Sequence, residues 1–541
     1  MSADLILHGG YIHTVTPFDG PRPTSVAVRD GRILAVGDDL SHLSGTGTQD
    51  IDLDGRLVVP GFQDSHAHPP QGGLERTRCD LTGAKTAPAF RSLIADYAAG
   101  TSAPWILGGG WSMEAFPGGC PTAAALDEIA AIGDRPVYLP NRDHHSAWVN
   151  SVALKLAGLT ASTPDPSDGR IERGPDGAPS GALHEGAMNL VERLIPAPSP
   201  AEMRRGLLVG QAYLHSLGIT AWQDAWVTPR DFDTYVDVAS SGELTARVVG
   251  CQWWERSEGI EQIEAFRERR ARGPVGRFRP TAIKIMLDGV CETFTASMLA
   301  PYLDGHGHST DNTGLQFIPT GDLARYLTAL DADGFQVHMH ALGDRGVRDA
   351  LDAIGAARFA NGRSDNRHQI AHLQVVHPDD IARFGILDAT ANSQALWACM
   401  EPQMLELTIP YLGDERAAWQ YPFASIARAG GRIALGSDWP VSSPNPLEIL
   451  HVAVHRTEPD AGTDVEPFLP DQRLSLEQAV YAYTMGSAHA NHHDDVTGSI
   501  EVGKYADLVV LDRDIFAPDA GRLADARVDY TFVEGVPVHQ R

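Results

Sequence analysis

Cysteine is scarce in this chain of 541 residues, and what there is lies scattered: Cys79, Cys120, Cys251, Cys291 and Cys399. No two form a Cys-x-x-Cys pair. An odd, dispersed set argues against a disulfide framework and against a zinc site built from cysteines, and it fits buried thiols in a reducing compartment. Long hydrophobic runs are also missing. None approaches the roughly 20 residues that span a bilayer, and Met1 to Gly10 has neither the basic segment nor the long apolar segment of a secretory signal. A cytoplasmic location is therefore the expectation. Positive charge is short as well. Against 70 Asp and Glu there are 43 Lys and Arg, a formal net charge of -27, which excludes the basic footprint that nucleic acid or an anionic membrane requires. What is present is ordinary for a globular protein with room for more than one domain: 43% hydrophobic and 21% charged residues.

Both ends of the chain read as β-structure. Asp4 to His8, Tyr11 to Val15, Ser25 to Arg29 and Arg32 to Val36 are short strand patterns, with a turn at Asp30-Gly31 and another at Asp54-Gly55. At the far end Ala506 to Asp512, Val528 to Val533 and Val536 to Val538 match them in character, with Glu534-Gly535 between the last two. The two ends predict one composite β-sandwich, formed from residues 1–59 and 498–541. The middle alternates strand and helix. Leu57 to Phe62, Gly218 to Asp224, Ala246 to Trp254, Thr281 to Leu287, Phe335 to His340, His368 to Leu373, Leu387 to Asn392 and Ile433 to Gly436 are eight candidate strands, mostly separated by helical patterns. Eight βα units predict a (β/α)8 TIM barrel over residues 60–497. A doubly wound open sheet is the alternative, but the Gly-rich phosphate turn it wants is not evident. Residues 76–200 exceed a simple βα unit and predict an insertion over the C-terminal face of the barrel, where loops shape active sites.

The chemistry is carried by histidines. Val58-Val59-Pro60-Gly61-Phe62-Gln63-Asp64-Ser65-His66-Ala67-His68 is an apolar strand running into two histidines at i, i+2, which point to one face. Two imidazoles on one face make half a site for a borderline-soft metal such as zinc. With 22 histidines, chance alone yields roughly one His-x-His pair, so context must decide. His306/His308 lies in a polar Gly-rich loop and reads as surface or substrate loop. His338/His340 ends the fifth strand, His372 the sixth, and Asp438 follows the eighth. Histidines and a carboxylate therefore recur at strand ends, where catalytic groups converge in this fold. Lys284 sits inside an apolar strand, where a charged amine is costly. Read as an ordinary residue it snorkels or pairs with a carboxylate; read as a functional one it is a neutral amine that reacts with carbon dioxide, giving a carbamate that bridges two metal ions. In the insertion, Trp111, Glu114 and Phe116 are candidates to line a pocket. Asp288 and Arg345 flank the strand-end histidines and are candidates to orient them.

These motifs resemble the amidohydrolase superfamily, and within it the amidohydrolase family 3, the YtcJ-like group that includes N-substituted formamide deformylases. The match runs nearly end to end. It covers Leu5 to Gly10, Pro60 to His68, Pro136 to Leu154 with Trp148-Val149-Asn150-Ser151, Lys284 to Gly289, His340-Ala341-Leu342-Gly343-Asp344, His372, Gly436-Ser437-Asp438-Trp439-Pro440, and Gly503 to Leu508. The resemblance implies an amidohydrolase-type barrel holding one or two divalent ions, zinc for preference. His66 and His68 would hold one metal with Asp438, and His340 and His372 a second, with carbamylated Lys284 between them. Metal-bound hydroxide would attack a non-peptide C–N bond, a linear amide such as an N-formyl or N-acyl amine. Asp438 would take the proton and pass it to the leaving amine. His145 would contact substrate. Strand spacing does not choose between His338 and His340, and the resemblance favours His340. The same water chemistry on an ester, carbamate or cyclic amide is a second reading, and a degenerate barrel kept as a binding or assembly module is a third. A small-molecule substrate is the expected partner, with a homodimer as the family tendency.

Overall fold

The computed structural model describes residues 2–16, 22–462 and 464–541. Its centre is an eight-stranded parallel sheet. The strands are β1 (Phe62–Ala67), β2 (Ile219–Val227), β3 (Arg247–Trp253), β4 (Phe278–Met286), β5 (Gln336–Ala341), β6 (Gln369–His372), β7 (Thr390–Ser393) and β8 (Arg432–Leu435). Each pairs with the next in chain order. The seam between β8 and β1 is closed just past the strand ends: Asp438 N donates to His66 O at 2.7 Å, and His68 N donates to Trp439 O at 2.7 Å. The sheet is thus a TIM barrel, and its strands are almost wholly buried because helices cover one face and the barrel interior the other.

One boundary differs from the sequence expectation. Leu57 to Phe62 is not the first barrel strand. Leu57–Pro60 pairs antiparallel with Leu508–Leu511 in the terminal sheets, and β1 begins only at Phe62. Gly61 is where the chain passes from one sheet to the other, and a Cβ there would lie 2.3 Å from Thr220 Oγ1. An uninterrupted apolar run conceals such a junction, because periodicity alone does not separate two buried strands.

The barrel interior is polar rather than aliphatic. Gln223 Nε2 donates to Gln336 Oε1 at 2.7 Å, Gln369 Nε2 to Gln223 Oε1 at 2.5 Å, and Asn392 Nδ2 to Gln369 Oε1 at 2.7 Å. This satisfied amide network forms the floor beneath the strand ends, and buried polar groups joined in this way fix a unique arrangement.

The chain ends form two further sheets. One holds Arg32–Gly37, Ser25–Arg29, Leu5–His8 and Gln49–Asp52; the other holds Tyr11–Ile12, Leu57–Pro60, Leu508–Leu511, Val528–Val533 and Val536–Gln540. Leu5, Leu7, Val26, Val58, Leu508, Val510 and Phe532 share one apolar core between them. The hairpin at Asp30-Gly31 has both residues at positive φ, 50° and 74°, the two-residue geometry that matches strand twist and favours Asp-Gly.

Between β1 and β2 the chain builds an extra six-stranded sheet, from Cys79–Asp80 through Pro179–Glu185, with its own apolar cores. It is anchored by the helices on either side. The helix Pro200–Ser216 starts with a reciprocal Ser199/Glu202 cap and packs on the helix Pro69–Arg76, where a Cβ on Gly73 would lie 1.9 Å from Gly206 O. Gly73→Ala is therefore expected to destabilise the fold by about 1–3 kcal/mol, the usual cost of overpacking; a chemical-denaturation midpoint identical to that of the parent would refute this close approach. Among the described residues no helix is long and apolar enough to cross a membrane.

Candidate metal centre

β1 and β8 bring the first groups together. His66 lies within β1, and His68 follows it as the cap of the helix Pro69–Arg76. Asp64 locks this end of the barrel: its Oδ1 accepts from His66 N and Ser437 N, each at 3.0 Å. Asp438 then reaches both histidines. Its Oδ1 lies 2.8 Å from His68 Nε2 and 3.2 Å from His66 Nε2, and its Oδ2 lies 3.9 Å from His372 Nδ1. Lys284, from β4, places Nζ 3.2 Å from His66 Nε2. Among the described residues, one ligand atom each from His66, His372 and Asp438 fall within 4.8 Å of one another. His372 and Asp438 hold φ of 79° and 57°, conformations uncommon outside glycine that concentrate at functional sites.

The structure separates His338 from His340. His338 lies deeper in β5, with Nε2 2.9 Å from His66 Nδ1 and Nδ1 2.6 Å from Gln223 Oε1. It joins His66 to the amide floor. His340 stands at the strand end, its ring centroid 4.4 Å from that of His372 and 5.6 Å from that of His145. Its Nε2 faces Gly289 O at 3.4 Å and Asp288 Oδ1 at 3.7 Å. Asp288 is in turn held by the backbone N–H groups of Ser297, Leu342 and Gly343. Trp397 stacks on His372 with its ring 5.3 Å away.

Burial sets the protonation states. It drives His66, His338, His340 and His372 well below the usual imidazole range, and lowers His68 as well, so these rings are neutral, the state that ligates metal. Burial also pushes the Lys284 ammonium down to about 8. For Asp438 burial acts upward, but the hydrogen bond to His68 and the electrostatic pull of the neighbouring His372, His68 and Lys284 groups prevail and hold it at about 2. His145 is the exception among the histidines. Burial would lower it, but the adjoining Glu185 carboxylate, 2.9 Å from Nδ1, raises it to about 9. Thr295 Oγ1 donates to the same Glu185 oxygen at 2.8 Å. The insertion therefore presents an imidazolium beside His340.

Three expected site residues lie elsewhere. Trp111 is fully buried inside the insertion, donating from Nε1 to Leu139 O at 2.7 Å and packed on Phe116 and Trp148. Glu114, in the short turn Met113–Ala115, belongs to the same region. Neither lines the cavities beside the histidines, one of about 390 Å³ bordered by His68, Asp224 and Trp226, the other of about 590 Å³ bordered by Arg142, Glu292, Leu342 and Trp397. A tryptophan in a Gly-rich segment gave no means of telling packing from lining. Arg345 donates from Nε to Met298 O at 3.2 Å rather than to a strand-end histidine. A larger cavity of about 770 Å³, bordered by Ile12, Phe384, Arg432 and Leu474, lies at the opposite end of the strands, remote from this chemistry. Conversely, Glu185, Gln223 and Trp397 were not legible in the sequence: each acts on a histidine supplied by a different part of the chain, and no short motif joins the pairs.

A sequence model of the Amidohydrolase family matches residues 49–539. Among curated proteins, Protein LONG AFTER FAR-RED 3 of Arabidopsis thaliana is 33% identical, over 94% of this chain and 87% of its own. N-substituted formamide deformylase of Arthrobacter pascens is 27% identical, over 96% of this chain and 95% of its own. Among solved structures, an uncharacterized metal-dependent hydrolase from Pyrococcus horikoshii OT3 superposes with a TM-score of 0.73 at 23% identity, covering 94% of this chain and 97% of that one; at that identity the likeness bears on the fold alone.

Proposed function

The chain belongs to the Amidohydrolase family, and from that premise we propose that it is a metal-dependent hydrolase of a non-peptide C–N bond in a small molecule, an N-formyl or other N-acyl amine. The observation that carries this reading is the convergence of His66, His372 and Asp438 on one point, with His68 against Asp438 and Lys284 against His66. The donor set suits a divalent, zinc-like ion: neutral imidazoles, an ionised carboxylate, and two buried ring nitrogens, His68 Nδ1 and His372 Nδ1, without a hydrogen-bond partner. When bound there, such an ion supplies Lewis acidity that polarises the carbonyl and acidifies water.

The chain's own groups account for the rest. Asp438, kept ionised, accepts the proton of the attacking water and returns it to the leaving amine. Lys284 has a substantial neutral fraction near pH 8. Its amine nitrogen adds to the carbon of carbon dioxide and releases one proton, leaving a carbamate anion that replaces a cation among the ligands. Were a second ion held, His340 would be its ligand beside His372, whose ring lies 4.4 Å away. His145, charged through Glu185, is placed to donate a hydrogen bond to the oxygen that gains charge as the carbonyl is attacked. His338 orients His66, and Asp288 orients His340.

A linear amide is favoured over an ester, carbamate or cyclic amide because a full-length relative is an N-substituted formamide deformylase. The aromatic walls offered by Trp226 and Trp397 suit an apolar amine substituent. Zinc-loaded protein should release formate or carboxylic acid from N-formyl or N-acyl amines. Turnover confined to esters or cyclic amides would overturn the bond assignment, and a loaded, folded protein inert on the whole panel would favour a binding module instead.

One further prediction concerns His145. Glu185→Gln removes a charged hydrogen bond of about 1.5–3 kcal/mol, so kcat should fall roughly 10- to 100-fold with metal content unchanged. An unaltered kcat would remove the imidazolium from the account.

A further inference from the structure

We infer that Cys120, Glu172 and His184 form a separate divalent-metal site on the insertion, suited to zinc or another borderline-soft ion. Glu172 lies on the strand Gly169–Arg173 and His184 on its antiparallel neighbour Pro179–Glu185, where His184 stands opposite Arg170 and Glu172 is its diagonal neighbour. Cys120 follows the turn Pro117–Gly119. Two devices bring that turn onto the sheet. Gly181, at φ +118°, admits the backbone of Ala123 so closely that a Cβ would lie 2.2 Å from its nitrogen. Trp148 Nε1 donates to Thr122 O at 2.8 Å.

The donor atoms form the right triangle. Cys120 Sγ lies 3.8 Å from His184 Nε2, which lies 3.5 Å from Glu172 Oε1, and all three fall within 4.8 Å of one another. A tetrahedral ion with usual zinc–sulfur, zinc–nitrogen and zinc–oxygen distances separates such donors by about 3.3–3.6 Å, so only small adjustments are needed. The arrangement does not fit a nucleophilic cysteine relay. There the carboxylate sits at the far ring nitrogen from the thiol, whereas here thiol and carboxylate converge on the same Nε2. The far nitrogen, Nδ1, is held by Ser146 Oγ at 2.7 Å, the kind of outer contact that orients a metal-binding imidazole. His184 is 1% exposed and the Glu172 side chain 27%, which leaves the fourth position open to water. The other polar contacts are a hydrogen bond from the Cys120 thiol to the Glu172 carboxylate and Arg170 Nη2 to Glu172 Oε1 at 2.6 Å; the Arg170 side chain is 45% exposed, and such a pair is weak enough to rearrange.

The site would be coupled to the barrel by chain neighbours. His184 precedes Glu185 and Ser146 follows His145, and adjacent strand residues face opposite sides of the sheet. An ion there would tie the Cys120 turn to the strands Gly169–Arg173 and Pro179–Glu185, the second of which ends in Glu185, and through the Ser146–His184 hydrogen bond to the strand Ser146–Val149 that begins just after His145. The inference stands on the insertion alone and does not depend on the proposed reaction.

Cobalt(II) titration of the stripped, full-length protein tests it, because a thiolate ligand gives a charge-transfer band that histidine and carboxylate ligands do not. Wild type should show the band. Cys120→Ser should abolish it and bind one fewer cobalt per chain, while Cys251→Ser, which removes the thiol 3.8 Å from His338, should keep both. Ser146→Ala leaves all three donors in place and should weaken cobalt binding at this band by about 10- to 100-fold, which keeps the test open if Cys120→Ser fails to fold. Absence of the band in wild type at saturating cobalt, its survival in Cys120→Ser, or unchanged affinity in Ser146→Ala would each overturn the site.

Discussion

Asp438→Asn is expected to reduce turnover by about 10²–10⁴-fold or more, the range over which a positioned acid/base acts, while the protein remains folded. The substitution is nearly isosteric, so the packing around the seam of the barrel survives. What it removes is charge. Among the described residues Asp438 is the one anion that touches both His66 and His68, and an amide neither accepts the proton of water nor returns it to an amine. The backbone contribution of residue 438, its N–H to His66 O, is unchanged, so the seam stays closed. The check is steady-state kinetics beside circular dichroism. Turnover within a few-fold of wild type would remove Asp438 from the chemistry.

The second large effect is at His66. His66→Ala should lower bound metal to well below one equivalent per barrel and lower turnover in step with it. His66 is the hub of the cluster: its Nε2 lies 3.2 Å from both Lys284 Nζ and Asp438 Oδ1, and its Nδ1 lies 2.9 Å from His338 Nε2. Removing the ring takes away a donor and leaves Lys284 and His338 without the partner that orients them. The readout is metal per chain by elemental analysis, made in the Cys120→Ser background so that the insertion does not contribute. Stoichiometric metal in His66→Ala would contradict the ligand assignment.

The barrel was legible in the sequence because its eight strands are buried on both faces and read as apolar runs separated by helical periodicity. The candidate site positions stood out because polar residues at the ends of such runs are exceptions to the pattern. His66, His372 and Asp438 stand out for that reason. What was hidden is of two kinds. Where one buried strand follows another without a polar break, as at Pro60-Gly61-Phe62, the pattern does not show which sheet each belongs to. Where function depends on contacts between distant segments, sequence carries no local trace: Glu185 charges His145, Gln223 holds His338, and Cys120, Glu172 and His184 meet only after the insertion folds. The scattered cysteines gave no Cys-x-x-Cys signal, and a site with one thiol and two other donor types would give none. Trp111 shows the reverse error. An aromatic residue in a Gly-rich segment suits a pocket wall and a core equally, and here the core claims it.

The central claim is that these strand-end groups hold a metal required for hydrolysis of an amide. Formate release from an N-formyl amine, followed as zinc is returned to chelator-stripped protein, tests it most directly. The account predicts negligible release by the stripped protein and recovery that rises with zinc bound. Full activity in the stripped protein, or none at any zinc occupancy across N-formyl and N-acyl amines, would contradict it.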